Sequence, residues 1–176
     1  MPLNSFLNLN SNSASQLIQR ICAQAGKTSA ELTDKDWLEI LSVILDLREK
    51  IFDFISVDFC YSCFCEALLY QQNFKLAREY LVKTAKAPTI LLKVSKEYFN
   101  SATGPNDESF KYAEKCMEML KKFDESPKAR EERNLHKATK ILYEQFNYKK
   151  VPIQIRLADK YELIKDVINS GDASYQ

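Results

Sequence analysis

The run Phe59-Cys-Tyr-Ser-Cys-Phe-Cys-Glu-Ala-Leu-Leu-Tyr70 constrains the fold more than any other stretch of this chain. Wound as a helix, it offers only Ser62 and Glu66 as polar residues, four apart and so on one narrow stripe. A helix that is apolar in nearly every other direction has to be covered by protein on most sides. Gln71-Gln-Asn73 then leaves room for a tight turn, and Asn73 is placed to cap a second helix with Phe74, Ala77 and Leu81 on one face. The first helix of such an αα-hairpin cannot complete its burial against its partner alone. Neighbouring hairpins must supply the rest, which is the packing logic of a helical repeat array.

The remaining chain reads the same way. From Ser13, the pattern Leu17, Ile18, Ile21, Cys22, Ala25 runs to Gly26, a residue suited to ending a helix. Thr33 or Asp34 caps the next helix, with Trp37, Ile40, Leu41, Ile44, Leu45, Ile51 and Phe52 following; Leu38, Val43 and Leu47 widen its apolar arc as if layers lay on both sides. Ala87-Pro88 predicts the end of the hairpin's second helix, and Thr89 a cap for a shorter helix through Ile90, Leu91, Val94 and Tyr98. Asn100 to Asp107 reads as a loop, and Phe110, Ala113, Met117 and Leu120 as the next helix face. Ser126-Pro127 is a start signal for a helix through Leu135, Ala138, Leu142 and Phe146. A last helix follows Pro152 and ends at Ser170-Gly171.

The expected fold is therefore all-α: an irregular α-solenoid of stacked antiparallel helical hairpins, about eight helices, joined by short connections. Residues 1–12, rich in Asn and Ser, read as a frayed tail, and residues 13–176 as a single solenoid segment belonging to a longer array. With only 3 Gly and 5 Pro, the chain lacks the turn residues of a β-sandwich or barrel. Lys and Arg total 25 against 24 Asp and Glu, interspersed rather than striped, which argues against direct nucleic-acid binding. Lys128 and Glu132, in i,i+4 register, suit a solvated face. The N-terminus shows no basic segment followed by an apolar core, and no apolar run approaches the roughly 20 residues that span a bilayer.

Each candidate for chemistry has a plainer reading. Cys60, Cys63 and Cys65 invite a metal or redox role, but Cys65 lies about 140° round the helix from Cys60, and no second pair follows at zinc spacing. With Cys22 and Cys116 they make an odd set of five, best read as apolar core thiols in a reducing compartment. His136 is the only histidine and reads as ordinary helix surface. Asp34, Asp36, Glu131 and Glu132 read as first-turn carboxylates facing helix dipoles. Gly26, Gly104 and Gly171 are isolated, so no phosphate-binding loop is present. Tyr61, Tyr70, Tyr80, Tyr98, Tyr112 and Tyr143 divide between core and groove, with core packing taking most of them. No residue is assigned a catalytic, cofactor-binding or metal-ligating role, so the expectation is a non-enzymatic scaffold without cofactors whose partner-binding residues are unknown.

From Leu17 to Gln176 the chain resembles the neuroblastoma-amplified sequence family, large α-helical proteins that carry a Sec-thirty-nine-type domain. The resemblance rests on Leu38-Glu-Ile-Leu-Ser-Val-Ile-Leu-Asp-Leu-Arg-Glu-Lys50, on Glu66 to Leu81, and on Val151-Pro-Ile-Gln-Ile-Arg-Leu-Ala-Asp-Lys-Tyr-Glu-Leu-Ile164. It implies an irregular α-solenoid in a subunit of a vesicle-tethering complex serving Golgi-to-ER retrograde transport. It further implies a cytoplasmic location, peripheral on the endoplasmic reticulum membrane and held there through partners. The implied partners are the regulatory domain of an ER SNARE and other tethering-complex subunits, and the family is also linked to nonsense-mediated decay. The alternative is a generic helical-repeat adaptor that binds peptides in proteostasis or mRNA-decay assembly.

Overall fold

Helix boundaries in this chain are set by side chains that satisfy orphan backbone groups. The computed structural model describes residues 11–26 and 32–172. Its helices are α1 (Ser11–Ala25), α2 (Asp34–Lys50), α3 (Val57–Tyr70), α4 (Phe74–Leu81), α5 (Ala87–Ser101), α6 (Glu108–Leu120), α7 (Pro127–Phe146), α8 (Pro152–Leu157) and α9 (Lys160–Asp172). The fold is all-α, with no strand among the described residues. Of the expected N-terminal tail, residues 1–10 lie outside the described residues, and Ser11 and Asn12 form the start of α1.

The expected caps at Thr33, Asn73 and Ser126 are in place. Thr33 and Asp36 form a reciprocal capping box on α2, Asn73 Oδ1 accepts from Leu76 N at 3.1 Å, and Ser126 Oγ accepts from Ala129 N at 3.3 Å. Helix α2 ends at Lys50, short of the expected Ile51 and Phe52, and three further helix ends add detail to the sequence reading or depart from it. First, α4 stops at Leu81, and α5 begins at Ala87 with Pro88 in its first turn rather than behind a Thr89 cap. Proline is harmless there because a first-turn N–H has no helical partner. Second, Gly26 ends α1 without a positive φ. Instead it makes room for Gln71, whose Cγ would lie 2.7 Å from a Cβ at this position.

Third, the last helix is two helices, which gives nine among the described residues rather than about eight. Ala158 is extended at φ −68 and ψ 143, and Asp159 Oδ1 accepts from Tyr161 N at 2.9 Å and Glu162 N at 3.2 Å. That carboxylate starts a new helix inside what reads as one continuous pattern. Gly171 then falls within α9 instead of after it.

The chain divides into two compact units, Met1–Ile90 and Leu91–Gln176. In the first, α3 packs against α1, α2 and α4. It buries Cys60, Phe64, Cys65, Ala67, Leu68 and Leu69, the multi-sided cover its composition requires. Phe64 sits edge-on to Trp37 and to Tyr80, with centroids 6.1 and 5.4 Å away. Even Ser62 of the polar stripe is buried, donating to Asp58 O at 2.7 Å and sharing a hydrogen bond with Thr84 Oγ1 at 2.8 Å. The cover expected for α2 is partial among the described residues: α1 and α3 both pack on it. Packing on the Trp37, Leu41 and Ile44 arc leaves Leu38 and Val43 exposed.

The second unit is built on α7, which packs against α6, α8 and α9. One cluster joins Phe99, Ala102, Phe110 and Ala113, with Leu135 packed against it. Another joins Tyr148, Ile155 and Val167 and uses the same Leu135 together with Leu142 and Leu163. Asn147 ends α7 in the left-handed conformation at φ 49, and Tyr148 N returns to Leu142 O at 2.9 Å.

Candidate functional site

The inward stripe of α7 is polar where a helical core is ordinarily greasy. Ala129, Glu132, His136 and Thr139 recur at helical spacing and are all buried. This corrects two expectations. Because Pro127 opens the helix, its first turn holds no acidic residue, and Glu132, only 5% exposed, neither serves the dipole nor pairs with Lys128 on a solvated face. His136, 3% exposed, is not helix surface. Glu131 is exposed, as a neighbour one step round the helix should be.

A set of partners from other elements neutralises Glu132. Arg156 of α8 grips it with both terminal nitrogens, Nη1 to Oε2 at 2.9 Å and Nη2 to Oε1 at 2.5 Å, while its Nε donates to Asn100 Oδ1 of α5 at 2.7 Å. Lys96 Nζ stands 3.8 Å from Oε2, and His136 Nε2 stands 3.4 Å from Oε1. Burial would raise the Glu132 carboxyl, but the Arg156 guanidinium and the His136 imidazole outweigh it and hold it near about 2. The carboxylate is thus ionised across ordinary pH, and its fork is filled.

The His136 ring lies flat on Phe99 at 4.6 Å and 16°, with Phe110 at 5.6 Å and the Arg156 guanidinium 4.7 Å from the Phe99 centroid. Neither ring nitrogen has an aligned hydrogen-bond partner, since the approach to Glu132 satisfies distance only. The fork of the carboxylate is taken up by Arg156, and the imidazole is buried. What they do is tie α5, α7 and α8 together, with cation, ring and ring stacked in sequence. No spacing in the sequence reveals this, because Arg156 reaches across separations of 24 and 56 residues.

The clamp also shapes a groove of about 900 Å³ bordered by α7, α8 and α9. Its lining includes the apolar Leu135, Ala138, Ile155 and Leu163. Lys96, Lys128, Arg130, Arg156 and Lys160 line it together with Glu131 and Glu132. Ile164 of α9 also lines it, and Tyr161 and Ile168 of the same helix are exposed as well.

The other sequence candidates lie elsewhere. Cys60 and Cys65 are buried and Cys63 half-buried on α3; Cys22 of α1 lies close enough to raise their mutual electrostatic cost, and Cys116 is buried in α6. Burial pushes the thiols of Cys22, Cys63, Cys65 and Cys116 up to about 12 and raises Cys60 as well. All five are free, and no group of three or more His, Cys, Asp or Glu that could hold a metal ion occurs among the described residues. Asp34 and Asp36 do lie in the first turn of α2. Tyr61, Tyr70, Tyr80, Tyr98, Tyr112 and Tyr143 are each half-buried, and none of them lines the groove. Among the described residues, no helix is long and apolar enough to cross a membrane.

Comparison with known proteins adds an independent line. The profile of the family described as Secretory pathway protein Sec39 matches residues 3–176. The chain is 27% identical over 203 residues to the NBAS subunit of NRZ tethering complex of Homo sapiens, an alignment covering 99% of this chain and 8% of that protein. It is 27% identical over 184 residues to MAG2-interacting protein 2 of Arabidopsis thaliana, again covering 99% of this chain and 8% of the relative. The chain thus spans about 8% of the length of the curated relatives it matches. No solved structure matches it.

Proposed function

This chain belongs to the Sec39 family of secretory pathway proteins, and from that premise we propose that it is a non-catalytic segment of a vesicle-tethering subunit. It works in retrograde transport from the Golgi to the endoplasmic reticulum, on the cytosolic face of that membrane, and is held there through its partners. Those partners are other tethering-complex subunits and the regulatory domain of an ER SNARE. Its hairpins stack with others of a longer chain into an irregular α-solenoid. The observation that carries this reading is the family match over residues 3–176, and a tethering-complex subunit among the relatives supports it. The structure is compatible in kind: the buried charged cluster around Glu132 is spent on joining helices, and the groove beside it is a surface for contact.

The experiment is affinity purification of the full-length protein containing this segment from cross-linked cells, followed by measurement of Golgi-to-ER cargo retrieval after its depletion. Tether subunits and an ER SNARE should co-purify, and retrieval should slow. Recovery of neither partner, with retrieval unchanged, would overturn the proposal. A second reading, a generic peptide-binding helical adaptor, is favoured by the apolar groove with basic residues along it.

A further inference from the structure

We propose that the groove bordered by α7, α8 and α9 docks an amphipathic helix whose apolar face is flanked by acidic residues, presented by a protein partner. The inference rests on the tethering-scaffold reading and names the chemistry of one contact within it. The groove's walls are helices whose backbone groups are already paired, so an extended peptide would find no strand edge to complete. A polyproline ligand needs an aromatic-lined groove, and no Phe, Tyr or Trp lines this one. The remaining mode is an occupant that satisfies its own backbone, which is a helix laying down its apolar side.

The apolar surface is laid out for that contact. On α9, Leu163 and Val167 face the unit's own core, while Ile164 and Ile168, 58% and 59% exposed, lie about a third of a turn round the helix. Ile164 lines the groove beside Ala138 of α7, so apolar atoms of two helices meet an incoming side chain from both sides. The Arg156–Glu132 pair fixes α8 on α7 and keeps that floor in place before a partner arrives, which removes part of the ordering entropy of binding.

Charge decides the partner's sign. The whole chain carries a net charge of +1, yet the groove lining has Lys96, Lys128, Arg130, Arg156 and Lys160 against Glu131 and Glu132, five cations to two carboxylates. Glu132 and Arg156 neutralise each other, which leaves Lys96, Lys128, Arg130 and Lys160 against Glu131. The lining of this groove is therefore net positive, and a helix with acidic flanks gains there where a basic one is repelled. A single-stranded nucleic acid would want an aromatic stacking platform that this groove lacks.

The test uses the full 176-residue chain and two labelled helical probes with the same Leu/Ile face, one flanked by Glu and one by Lys, titrated by fluorescence anisotropy. The Glu-flanked probe should bind at least about tenfold more tightly, with the preference shrinking as salt is raised. Ala138→Glu and Ile164→Glu, both at exposed positions, should each weaken it about tenfold or more while circular dichroism and Tm stay unchanged. K128E/K160E should reverse the preference between the probes. Val82→Glu, at a 70% exposed site in the first unit, should change nothing. Equal binding of the two probes, no binding by either, indifference to both groove variants, or tighter binding of anionic vesicles or duplex RNA than of the Glu-flanked probe would each overturn the proposal. The same groove variants placed in the full-length protein separate this claim from the one beneath it. If tether partners still co-purify with the probe site abolished, the groove assignment fails and the tethering reading stands; if the unaltered protein recovers no partner, the tethering reading itself fails.

Discussion

Replacing Glu132 with Gln keeps its shape and removes its charge, so the variant isolates what the buried clamp contributes. The carboxyl is held near about 2 against an ordinary 4.5. A depression of that size corresponds to about 3 kcal/mol of preference for the ionised form in the folded state, at about 1.4 kcal/mol for each tenfold change. Breaking a buried pair from one side generally costs about 3–5 kcal/mol, because the surviving charge is left desolvated. Arg156 retains 18% exposure and Lys96 37%, which points to the lower end, about 3 kcal/mol. Glu132→Gln should lose that much in urea unfolding at neutral pH, followed by far-ultraviolet circular dichroism, with amide exchange locating the loss in α7 and α8.

The sign of the pH dependence follows from the direction of the shift. A carboxyl whose folded pKa is depressed contributes stability above its unfolded value and loses it as pH falls toward the folded one. The gap between wild type and E132Q should therefore hold above 4.5 and close as the pH drops toward about 2. Replacing both partners, E132M/R156M, should recover most of the loss, since two apolar side chains leave no stranded charge. A penalty under about 1 kcal/mol, a gap that does not change with pH, or a double variant no better than the single would refute the reasoning.

Other perturbations probe separate elements. Phe64→Ala, which empties the site between Trp37 and Tyr80, should lower stability by about 3–5 kcal/mol in the same unfolding measurement. Gln72 holds a left-handed φ of 57 in the α3–α4 turn, so Gln72→Gly should raise stability by about 0.5 kcal/mol once glycine's greater chain entropy is subtracted. Asp159→Ala removes the carboxylate that starts α9 and should cost about 1 kcal/mol, with faster amide exchange at Tyr161 and Glu162. With Cys22, Cys65 and Cys116 pushed up to about 12, a thiol reagent at mildly alkaline pH should label them only after denaturant is added; rapid labelling of the native protein would contradict their burial.

The elements legible in the sequence are those whose cause is local. The caps at Thr33, Asn73 and Ser126 act on backbone groups two or three residues away, so the residue type announces the boundary. The same holds for the Phe110, Ala113, Met117 and Leu120 face of α6, all of it buried. Where a local signal was misread, a second local signal had competed with it. Pro88 reads as a stop and serves as a start; Asp159 reads as one more polar helix position and serves as a cap. In both cases the choice depends on whether the neighbouring turn is already closed.

The candidate site was not legible, and the groove with it. Glu132 looks like its exposed neighbour Glu131, and His136 sits among charged residues like any surface histidine. Burial of the first is tolerable only because Arg156, Lys96 and the fold between them deliver cations to it from other helices. Capping and apolar periodicity act over a single turn, so the helical fold and the need of α3 for company on several sides can be read from residue order. Helix packing settles which charges go inside and which side chains line the groove. Those outcomes depend on partners tens of residues distant, whose proximity is a property of helix packing and not of spacing along the chain.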